Sequence, residues 1–263
     1  MKKKVALFMV AVLSVATMAM GCGKEASKED TSKEQFIVGF DQNFPPMGFV
    51  GDDGEFTGFD LELAAEVAER LDMELVLTPI DWDAKDMELK SGTISCIWNG
   101  FTMNGREDEY TWTDAYLDNK QVFVVRSGEG IESMEDLAGK VVDVQTDSSA
   151  QAALDELPEL VASFESLNVI PDYNTAFMEL EAGAADAVAM DIVVASYQIE
   201  QRDADFEILD DALATEEYGV GFKKVNDTLR DQVQKALEEM AADGTMAEIS
   251  TKWFGEDITT IGK

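Results

Sequence analysis

The sequence predicts an α/β fold of two lobes built on mostly parallel sheets. Short apolar strands alternate with helices, and this alternation runs twice, restarting near Ser133. Alternation of this kind indicates βαβ units. The chain is long enough for two small lobes or one large domain, and because each run is too short for a large domain, two lobes are favoured.

The first run begins with the apolar strand Phe36–Phe40 and continues with a helix that opens at Gly58-Phe59-Asp60. Apolar residues recur in this helix at a spacing of three or four, which predicts one buried face. The other predicted elements of this run are the strand Glu74–Leu77, the helix Asp83–Lys90, and the strands Thr93–Trp98 and Gln121–Arg126.

The second run repeats this order of strands and helices. Gly183 directly follows one helix of this run, as a C-terminal glycine does. Its predicted elements are the strand Val141–Val144, the helices Ser148–Leu157 and Asn174–Ala182, the strand Ala187–Met190, the helix Ile192–Gln201, the strand Tyr218–Phe222, and the helices Asn226–Ala242 and Thr245–Trp253. Ligands of open α/β sheets bind beyond the carboxyl ends of the strands, so residues directly after the strands are the first candidates for a site.

The first 22 residues are typical of a secretory signal. Three lysines precede the apolar stretch Val5–Met18, and small residues then lead to Cys22. The cysteine in this place resembles the lipobox of bacterial lipoproteins, which implies cleavage after residue 21 and lipidation of Cys22. Acyl chains would anchor the protein on the extracytoplasmic face of the membrane. The alternative is an ordinary signal that leaves a spare thiol. Residues 22–35 are polar and non-periodic and predict a flexible tether.

Composition excludes several classes of function. With 54 acidic and 20 basic residues the net charge is −34, which repels phosphate backbones and argues against a nucleic-acid partner. The chain has no histidine, which excludes serine–histidine and cysteine–histidine catalysis and most transition-metal sites. No loop has the acidic spacing of an EF-hand, and we expect neither a metal nor a cofactor. Cys96 lies alone in an apolar run, which predicts a buried unpaired thiol.

Polar residues follow two of the predicted strands of the first run. Asp41 follows the first strand, close to Phe44, and is either a solvated turn acid or a charge at the base of an apolar lip. The later strand leads into Asn99, Gly100 and Thr102, which offer hydrogen bonds and close backbone approach. Arg106 then offers a planar fork for a carboxylate, or else a surface ion pair with the acidic residues 107–109.

Two further strand ends belong to the second run. Ser148 and Ser149 begin a helix, where free N–H groups favour an anion, unless Asp147 or Ser148 simply caps the helix. Asp191 ends a buried strand and is either a helix cap or a partner for a ligand cation. Together these groups complement the carboxylate and ammonium of a free amino acid.

The chain also resembles the family 3 extracellular solute-binding proteins from about Phe36 to Gly255. An ordered series of motifs carries this resemblance: Gly39-Phe40-Asp41 with Phe44-Pro45-Pro46, Gly58-Phe59-Asp60-Leu61, Leu89-Lys90-Ser91-Gly92, Asn99-Gly100-Phe101-Thr102 leading to Arg106, Leu137-Ala138-Gly139-Lys140-Val141, Gly183-Ala184-Ala185-Asp186-Ala187 with Asp191, and Asp243-Gly244-Thr245 with Lys252-Trp253-Phe254-Gly255.

The resemblance implies a two-lobe clamshell of the type II periplasmic-binding-protein class with two hinge strands. The crossings are expected near Val125–Gly128 and Glu217–Tyr218. Residues 36–125 and 217–263 would then form the first lobe, and residues 126–216 the second.

The resemblance also assigns roles within the site. It implies that Arg106 binds the ligand carboxylate with the N–H groups of Gly100 and Thr102, and that Asp191 binds the ammonium. Ser148 and Ser149 would add hydrogen bonds from the second lobe, while Asp41, Phe44 and Trp82 face the ligand side chain. The chain departs from the family at Asp147, where glycine is frequent. This residue either caps the helix or faces a cationic ligand, and we expect the cap.

The function implied is that of a monomeric binding component of an amino acid ABC transporter, not an enzyme, which delivers its ligand to a membrane permease. Asp41 favours a cationic or amide side chain, and lysine, arginine, histidine, glutamine and cystine all stay open. One alternative is an enzyme of the cyclohexadienyl dehydratase type, with Glu88 or Glu109 as the general acid. Another is a ligand-sensing lobe that signals to a receptor.

Overall fold

The structure, a computed structural model, describes residues 33–202 and 204–263. The predicted signal segment 1–21, the lipidation site Cys22 and the tether up to residue 32 lie outside the described residues and stay predictions. In the described part, no helix has both the length and the apolar character that crossing a membrane requires.

Strands and helices alternate along the described chain as predicted. The strands are β1 (Gln35–Phe40), β2 (Asn43–Phe44), β3 (Gly48–Val50), β4 (Phe56–Thr57), β5 (Glu74–Pro79), β6 (Cys96–Ile97), β7 (Thr111–Trp112), β8 (Leu117–Arg126), β9 (Val141–Gln145), β10 (Ser166–Ile170), β11 (Ala187–Asp191), β12 (Phe206–Tyr218) and β13 (Gly221–Phe222). The helices are α1 (Phe59–Arg70), α2 (Lys85–Ser91), α3 (Ser149–Asp155), α4 (Pro158–Ser163), α5 (Tyr173–Ala182), α6 (Ile192–Gln201), α7 (Asp227–Asp243) and α8 (Thr245–Phe254).

Two five-stranded sheets organise the two lobes. The first has the order β5-β1-β6-β13-β7 and the second the order β10-β9-β11-β8-β12, while β2, β3 and β4 form a small separate sheet. In the first sheet β1 pairs in parallel with β5 and β6, and β13 is antiparallel to β6 and β7. In the second, β9 is parallel to β10 and β11, and β8 is antiparallel to β11 and β12. The α/β fold with two lobes is confirmed, and the sheets are mixed rather than mostly parallel.

The sheets show where the chain passes between the lobes. Strand β8 pairs over its whole length with strands of the second sheet, so the chain leaves the first sheet between Trp112 and Leu117. This crossing is earlier than the predicted one near Val125–Gly128, because the apolar run before Val125 is a central strand of the second sheet. The chain returns between Tyr218 at the end of β12 and Gly221.

Strand β12 is the longest strand described and the sequence prediction did not include it. It forms one edge of the second sheet, and Asp210, Asp211 and Glu217 on it are exposed. Charged residues are depleted in strands generally but are common on edges, where they prevent pairing with another chain. The predicted strand Tyr218–Phe222 is correspondingly shorter and consists of β13.

The interior is closely packed on both sides of the hinge. The largest group of buried apolar side chains runs from the first sheet to α5 and α6 of the second lobe. Cys96 is fully buried in this group and unpaired, as predicted, and its burial raises the pKa of the thiol. Gly183 ends α5 with φ +74°, which confirms the predicted C-terminal glycine.

Candidate amino acid site between the lobes

A small cavity between the lobes collects most of the residues that the strand-end argument selected. Its free volume is about 10 Å³, close to what one water molecule requires, because side chains from the two lobes contact each other across it. Its lining consists of Asp41, Phe44, Trp82, Asn99, Gly100, Gln145, Ser148, Ser149 and Asp191. All but Gln145 are predicted site residues; the other two predicted residues, Thr102 and Arg106, lie outside the lining.

Asp41 is held at the cavity by both lobes. It is 5% exposed and its carboxylate accepts hydrogen bonds from the Asn43 N–H at 2.8 Å and from Gln145 Nε2 of the second lobe at 2.8 Å. The Asp41 N–H donates to Asn99 Oδ1 at 3.0 Å, so Asn99 fixes the loop after β1. Burial raises the pKa of Asp41 to about 6, although these hydrogen bonds oppose the shift. Asp41 is therefore not the solvated turn acid of the alternative interpretation.

Aromatic rings form part of the cavity wall. The Trp82 ring meets the Phe101 ring edge-on with centroids 5.6 Å apart, and Phe44 lies 5.9 Å from the Tyr173 ring of the second lobe. An apolar wall beside Asp41 combines shape selection with one charged group. This is the usual composition of a small-molecule site.

Arg106 reaches the cavity through Ser149. One terminal nitrogen of its guanidinium donates to Ser149 Oγ at 2.9 Å and to the Thr102 carbonyl at 3.3 Å. The guanidinium lies 5.4 Å from the centre of the Phe101 ring, which favours a fixed orientation. In the described part no carboxylate forms an ion pair with Arg106, so the interpretation as a surface pair with residues 107–109 is wrong. The contact with Ser149 joins the two lobes.

Gly100 lines the cavity, but its N–H has another partner. It donates to the buried Asp60 carboxylate at 2.6 Å, and the Tyr116 hydroxyl donates to the same oxygen at 2.9 Å. The expected contribution of the Gly100 N–H to carboxylate binding is therefore not seen in this geometry. Gly100 has φ +55°, and a Cβ atom there would come within 3.1 Å of Phe44 and Tyr218, which explains the glycine.

The start of α3 is capped by Ser148. Its hydroxyl accepts a hydrogen bond from the Gln151 N–H at 3.1 Å. The prediction that Asp147 caps this helix is wrong, because its carboxylate instead pairs with Lys85 of the first lobe. Lys85 is 2% exposed, and its ammonium group also lies 5.1 Å from the centre of the Trp82 ring. Asp147 has φ +56°, the left-handed conformation that glycine adopts most readily.

Asp191 does not cap the helix that follows it. It is 4% exposed, and one carboxylate oxygen accepts hydrogen bonds from Tyr218 at 2.5 Å, Gln121 at 2.8 Å and Asn119 at 2.9 Å. Burial and the nearby Glu216 carboxyl raise the pKa of Asp191 to about 8. Its partners here are neutral donors, which is the environment expected of a carboxylate that receives a ligand cation.

A second and larger cleft adjoins the cavity and shares Asp41 and Trp82 with it. Its volume is about 680 Å³, and it is lined by five acidic residues and by no lysine or arginine. The acidic residues are Asp41, Asp81, Asp83, Glu88 and Asp172. Glu88, one of the two candidate acids of the dehydratase alternative, thus faces this cleft, whereas Glu109 lines a different surface pocket.

Sequence reasoning missed several residues around the cavity. Gln145 stands at the end of a strand, as Asn99 does, but it was not selected. Lys85 and Glu216 had no local signal: each matters through a partner distant in sequence, Asp147 for the first and Thr102 for the second. Only the folded chain brings these partners together.

Comparison with known proteins gives a consistent assignment. Residues 36–256 match the family of bacterial extracellular solute-binding proteins, family 3. The chain belongs to this family. This solute-binding protein is 31% identical over 255 residues to the L-cystine-binding protein TcyJ of Escherichia coli K12, covering 95% of this chain and 94% of that protein. It is 30% identical over 259 residues to the arginine-binding extracellular protein ArtP of Bacillus subtilis 168, covering 97% and 98%.

Solved structures agree with the fold. An ABC uptake transporter substrate-binding protein from Streptococcus pneumoniae with bound histidine superposes with a TM-score of 0.83 at 35% identity, covering 86% of this chain and 94% of that one. An ancestral arginine-binding protein bound to arginine gives 0.79 at 34% identity, covering 85% and 99%. The two-lobe fold of this solute-binding protein is therefore that of type II periplasmic binding proteins.

Proposed function

We propose that this protein captures a free amino acid between its lobes and delivers it to an ABC-transporter permease. The observation that carries the proposal is the cavity itself. It places Asp191, which has no cationic partner in the described residues, beside Ser149, to which Arg106 donates. A zwitterion would bring a carboxylate to Arg106 and an ammonium to Asp191, and only such a ligand satisfies both.

Capture would proceed by lobe closure. Contacts between Asp41 and Gln145 and between Arg106 and Ser149 join residues of opposite lobes. A ligand that binds both lobes stabilises the closed state through its differential contacts. The closed protein would then dock on the permease.

We propose further that the ligand has a cationic side chain. A side chain that extends from the cavity past Asp41 enters the cleft lined by five carboxylates, where a positive charge is favoured and a second carboxylate is repelled. Relatives that bind arginine and histidine support this class. Because another relative binds cystine, cystine, which is a longer zwitterion, is also tested.

Thermal unfolding tests the proposal directly. The protein without its first 22 residues, unfolded and refolded to remove carried ligand, is heated with each of the twenty amino acids and cystine at about 1 mM. A ligand with a micromolar dissociation constant adds about 4 kcal/mol and raises the midpoint by several degrees. We expect the largest shift with arginine, lysine or histidine. A cooperative transition that no amino acid shifts would refute amino acid binding and leave prephenate and arogenate as the next ligands to test.

Two substitutions test the site. We expect Arg106→Ala and Asp191→Ala each to weaken binding by about 2–5 kcal/mol, because each removes one partner of a charge-assisted pair. Asp118→Asn is the matched control, since Asp118 is exposed on the same strand as Gln121. Near-normal affinity in either folded site variant, measured by calorimetry, would refute the assignment.

We also propose that Cys22 carries the lipid anchor and that the protein acts as a monomer on the extracytoplasmic face. Replacement of Cys22 by serine should release the protein from the membrane fraction, whereas Cys96→Ala, which changes a buried thiol, should not. Continued membrane association of the Cys22 variant would refute the anchor. Sedimentation of the released protein reports its oligomeric state.

A further inference from the structure

Glu216 connects the two ends of the proposed amino acid site. It lies on β12 near the hinge and is 6% exposed. One of its carboxylate oxygens accepts hydrogen bonds from the Thr102 hydroxyl at 2.9 Å, from Asn119 Nδ2 at 2.6 Å and from Gln121 Nε2 at 2.7 Å. Thr102 belongs to the loop that leads to Arg106, so Glu216 contacts the carboxylate end of the site as well as the second sheet.

Asp191 and Glu216 share the same two amide donors. Asn119 Nδ2 and Gln121 Nε2 each contact one oxygen of both carboxyl groups. A single amide nitrogen can reach both only if the two carboxyl groups are close neighbours. The amide oxygens of Asn119 and Gln121 are buried without a hydrogen-bond partner among the described residues, so both amides are committed as donors to this pair.

In the described part of the chain, neither carboxyl group of the pair contacts a lysine or arginine side chain. Tyr218 donates to Asp191 from the end of β12, and Tyr173 of α5 is buried nearby; burial raises the pKa of both hydroxyls, which therefore stay neutral. The next titratable groups are Tyr116 with Asp60, Asp41 after β1, and Arg106. The Arg106 guanidinium is directed to Ser149, and neither carboxyl of the pair forms an ion pair with a lysine or arginine of the described residues. Two negative charges at such a buried place repel each other strongly.

We propose that Glu216 is a positioning residue that holds one proton jointly with Asp191, and that the ligand's ammonium group displaces this proton to the solvent. The inference rests on the proposed function, because it takes the ammonium to bind at Asp191. Before binding, the pair carries one proton and one negative charge. After binding, both carboxylates are ionised and the ammonium lies against them. Capture of one amino acid thus releases one proton.

This direction agrees with the raised pKa of Asp191, whose causes after burial include the Glu216 charge. Two carboxylates that share a site behave in this way generally, since ionisation of one opposes ionisation of the other. A positive ligand removes that opposition. Affinity should therefore rise with pH while the pair still holds its proton.

Calorimetry counts the proton. L-arginine is titrated near neutral pH, where its own groups do not change ionisation, into the protein in phosphate and in Tris, which differ in ionisation enthalpy. We expect close to one proton released per arginine bound, and a dissociation constant that falls up to tenfold per pH unit over the range in which the pair is protonated. If arginine does not bind, the amino acid with the largest thermal shift replaces it.

Substitution separates the pair from its neighbours. Glu216→Gln should still bind but release little or no proton, because Asp191 alone then ionises more readily. Glu216→Asp keeps a second carboxyl and should restore release in part. Glu217→Gln is the matched control, since Glu217 is the next residue and is exposed, and it should behave as the unsubstituted protein does. Binding without proton release in the unsubstituted protein would overturn the inference and leave the proposed function intact.

A ligand-free measurement keeps the two proposals distinguishable. A carboxyl pair that holds a proton in the folded state loses stability as pH rises through its folded pKa, because the unfolded chain has already released that proton. Between about pH 5 and pH 9, the free energy of unfolding measured with urea should therefore fall more steeply with pH in the unsubstituted protein than in Glu216→Gln. The difference between the two slopes should correspond to at most one bound proton. Equal slopes would overturn the shared proton even if no amino acid binds.

Discussion

At the scale of single residues, Asp60 shows how a motif can have a role other than ligand binding. It is fully buried and holds the Gly100 N–H and the Tyr116 hydroxyl on one carboxylate oxygen. It thereby fixes the glycine loop that carries Asn99 and leads to Thr102. Asp60 of the Gly58-Phe59-Asp60-Leu61 motif thus supports the loop of the site and does not face the ligand.

We expect Asp60→Ala to lower the free energy of unfolding by about 2–5 kcal/mol, because it leaves two buried donors without an acceptor. Urea unfolding measures the change. Asp52→Ala, on an exposed position of the loop before β4, is the control and should change little. A loss below about 1 kcal/mol would contradict the assigned role of Asp60.

The pH dependence of the same group has a definite sign. Burial raises the pKa of Asp60 to about 7, so its contribution to stability is present at low pH and is lost as pH rises through that value. Asp60→Asn keeps one acceptor oxygen and cannot ionise. The penalty of Asp60→Asn relative to the unsubstituted protein should therefore shrink from about pH 4 to pH 7, by at most about 1.4 kcal/mol per unit. A constant penalty would show that Asp60 ionises normally.

At this scale the sequence predicts residues whose signal is local. Asp41, Asn99 and Asp191 follow strands directly, and the rule that sheets bind ligands at their carboxyl edge is enough to select them. Lys85, Glu216 and the role of Asp60 depend on pairing between residues far apart in the chain. In a chain with 54 acidic residues, a buried acid also looks like any surface acid.

At the scale of elements, one carboxylate at the start of helix α5 contributes both to the stability of the helix and to the charge of the cleft. Its N-cap residue Asp172 accepts hydrogen bonds from the Thr175 N–H at 2.9 Å and the Thr175 hydroxyl at 3.1 Å. The same carboxylate lines the acidic cleft. The charge and the cap can be separated, because asparagine caps helices about as well as aspartate does.

We expect Asp172→Ala to lower the free energy of unfolding by about 1 kcal/mol through loss of the cap, and Asp172→Asn to change it little. If the ligand side chain is cationic, both variants should weaken arginine binding and leave glutamine binding nearly unchanged. Thermal unfolding and calorimetry give the two readouts. Equal effects on arginine and glutamine would contradict a role for the cleft charge.

Elements with one apolar face were predictable, whereas the two edge strands of the second sheet were not predicted. Helix α1 follows its predicted spacing, whereas β10 and β12 are the two edge strands of the second sheet. An edge strand needs apolar residues on fewer sides, so the apolar pattern that marks a strand in the sequence is weaker there. The missed strand β12 is also the one that carries Glu216, which explains why that residue escaped selection.

At the scale of the whole molecule, several side-chain contacts join the lobes in the described part, and three of them lie close to the cavity. These three are Lys85 with Asp147, Gln145 with Asp41, and Arg106 with Ser149. In the first contact, neither residue lines the cavity itself, although Lys85 lies over the ring of Trp82, which does. Opening the lobes would separate Lys85 from its carboxylate partner.

We expect Asp147→Asn to shift the ligand-free protein toward the open form. Asp147 is more than half exposed, so solvent screens the pair and we expect an effect of about 1 kcal/mol, or roughly fivefold in the opening equilibrium. Small-angle scattering should show a larger radius of gyration in the variant. Asp155→Asn, an exposed aspartate of the same lobe, is the control. An unchanged radius would show that the pair does not hold the lobes together.

The single buried thiol has a practical consequence. With Cys22 replaced, Cys96 is the only cysteine left, and its raised pKa and complete burial protect it from alkylating reagents. A cysteine introduced on the rim of the cleft would therefore accept a maleimide dye selectively, without removal of Cys96. With these two changes the protein is suited to conversion into an optical sensor for the amino acid it captures.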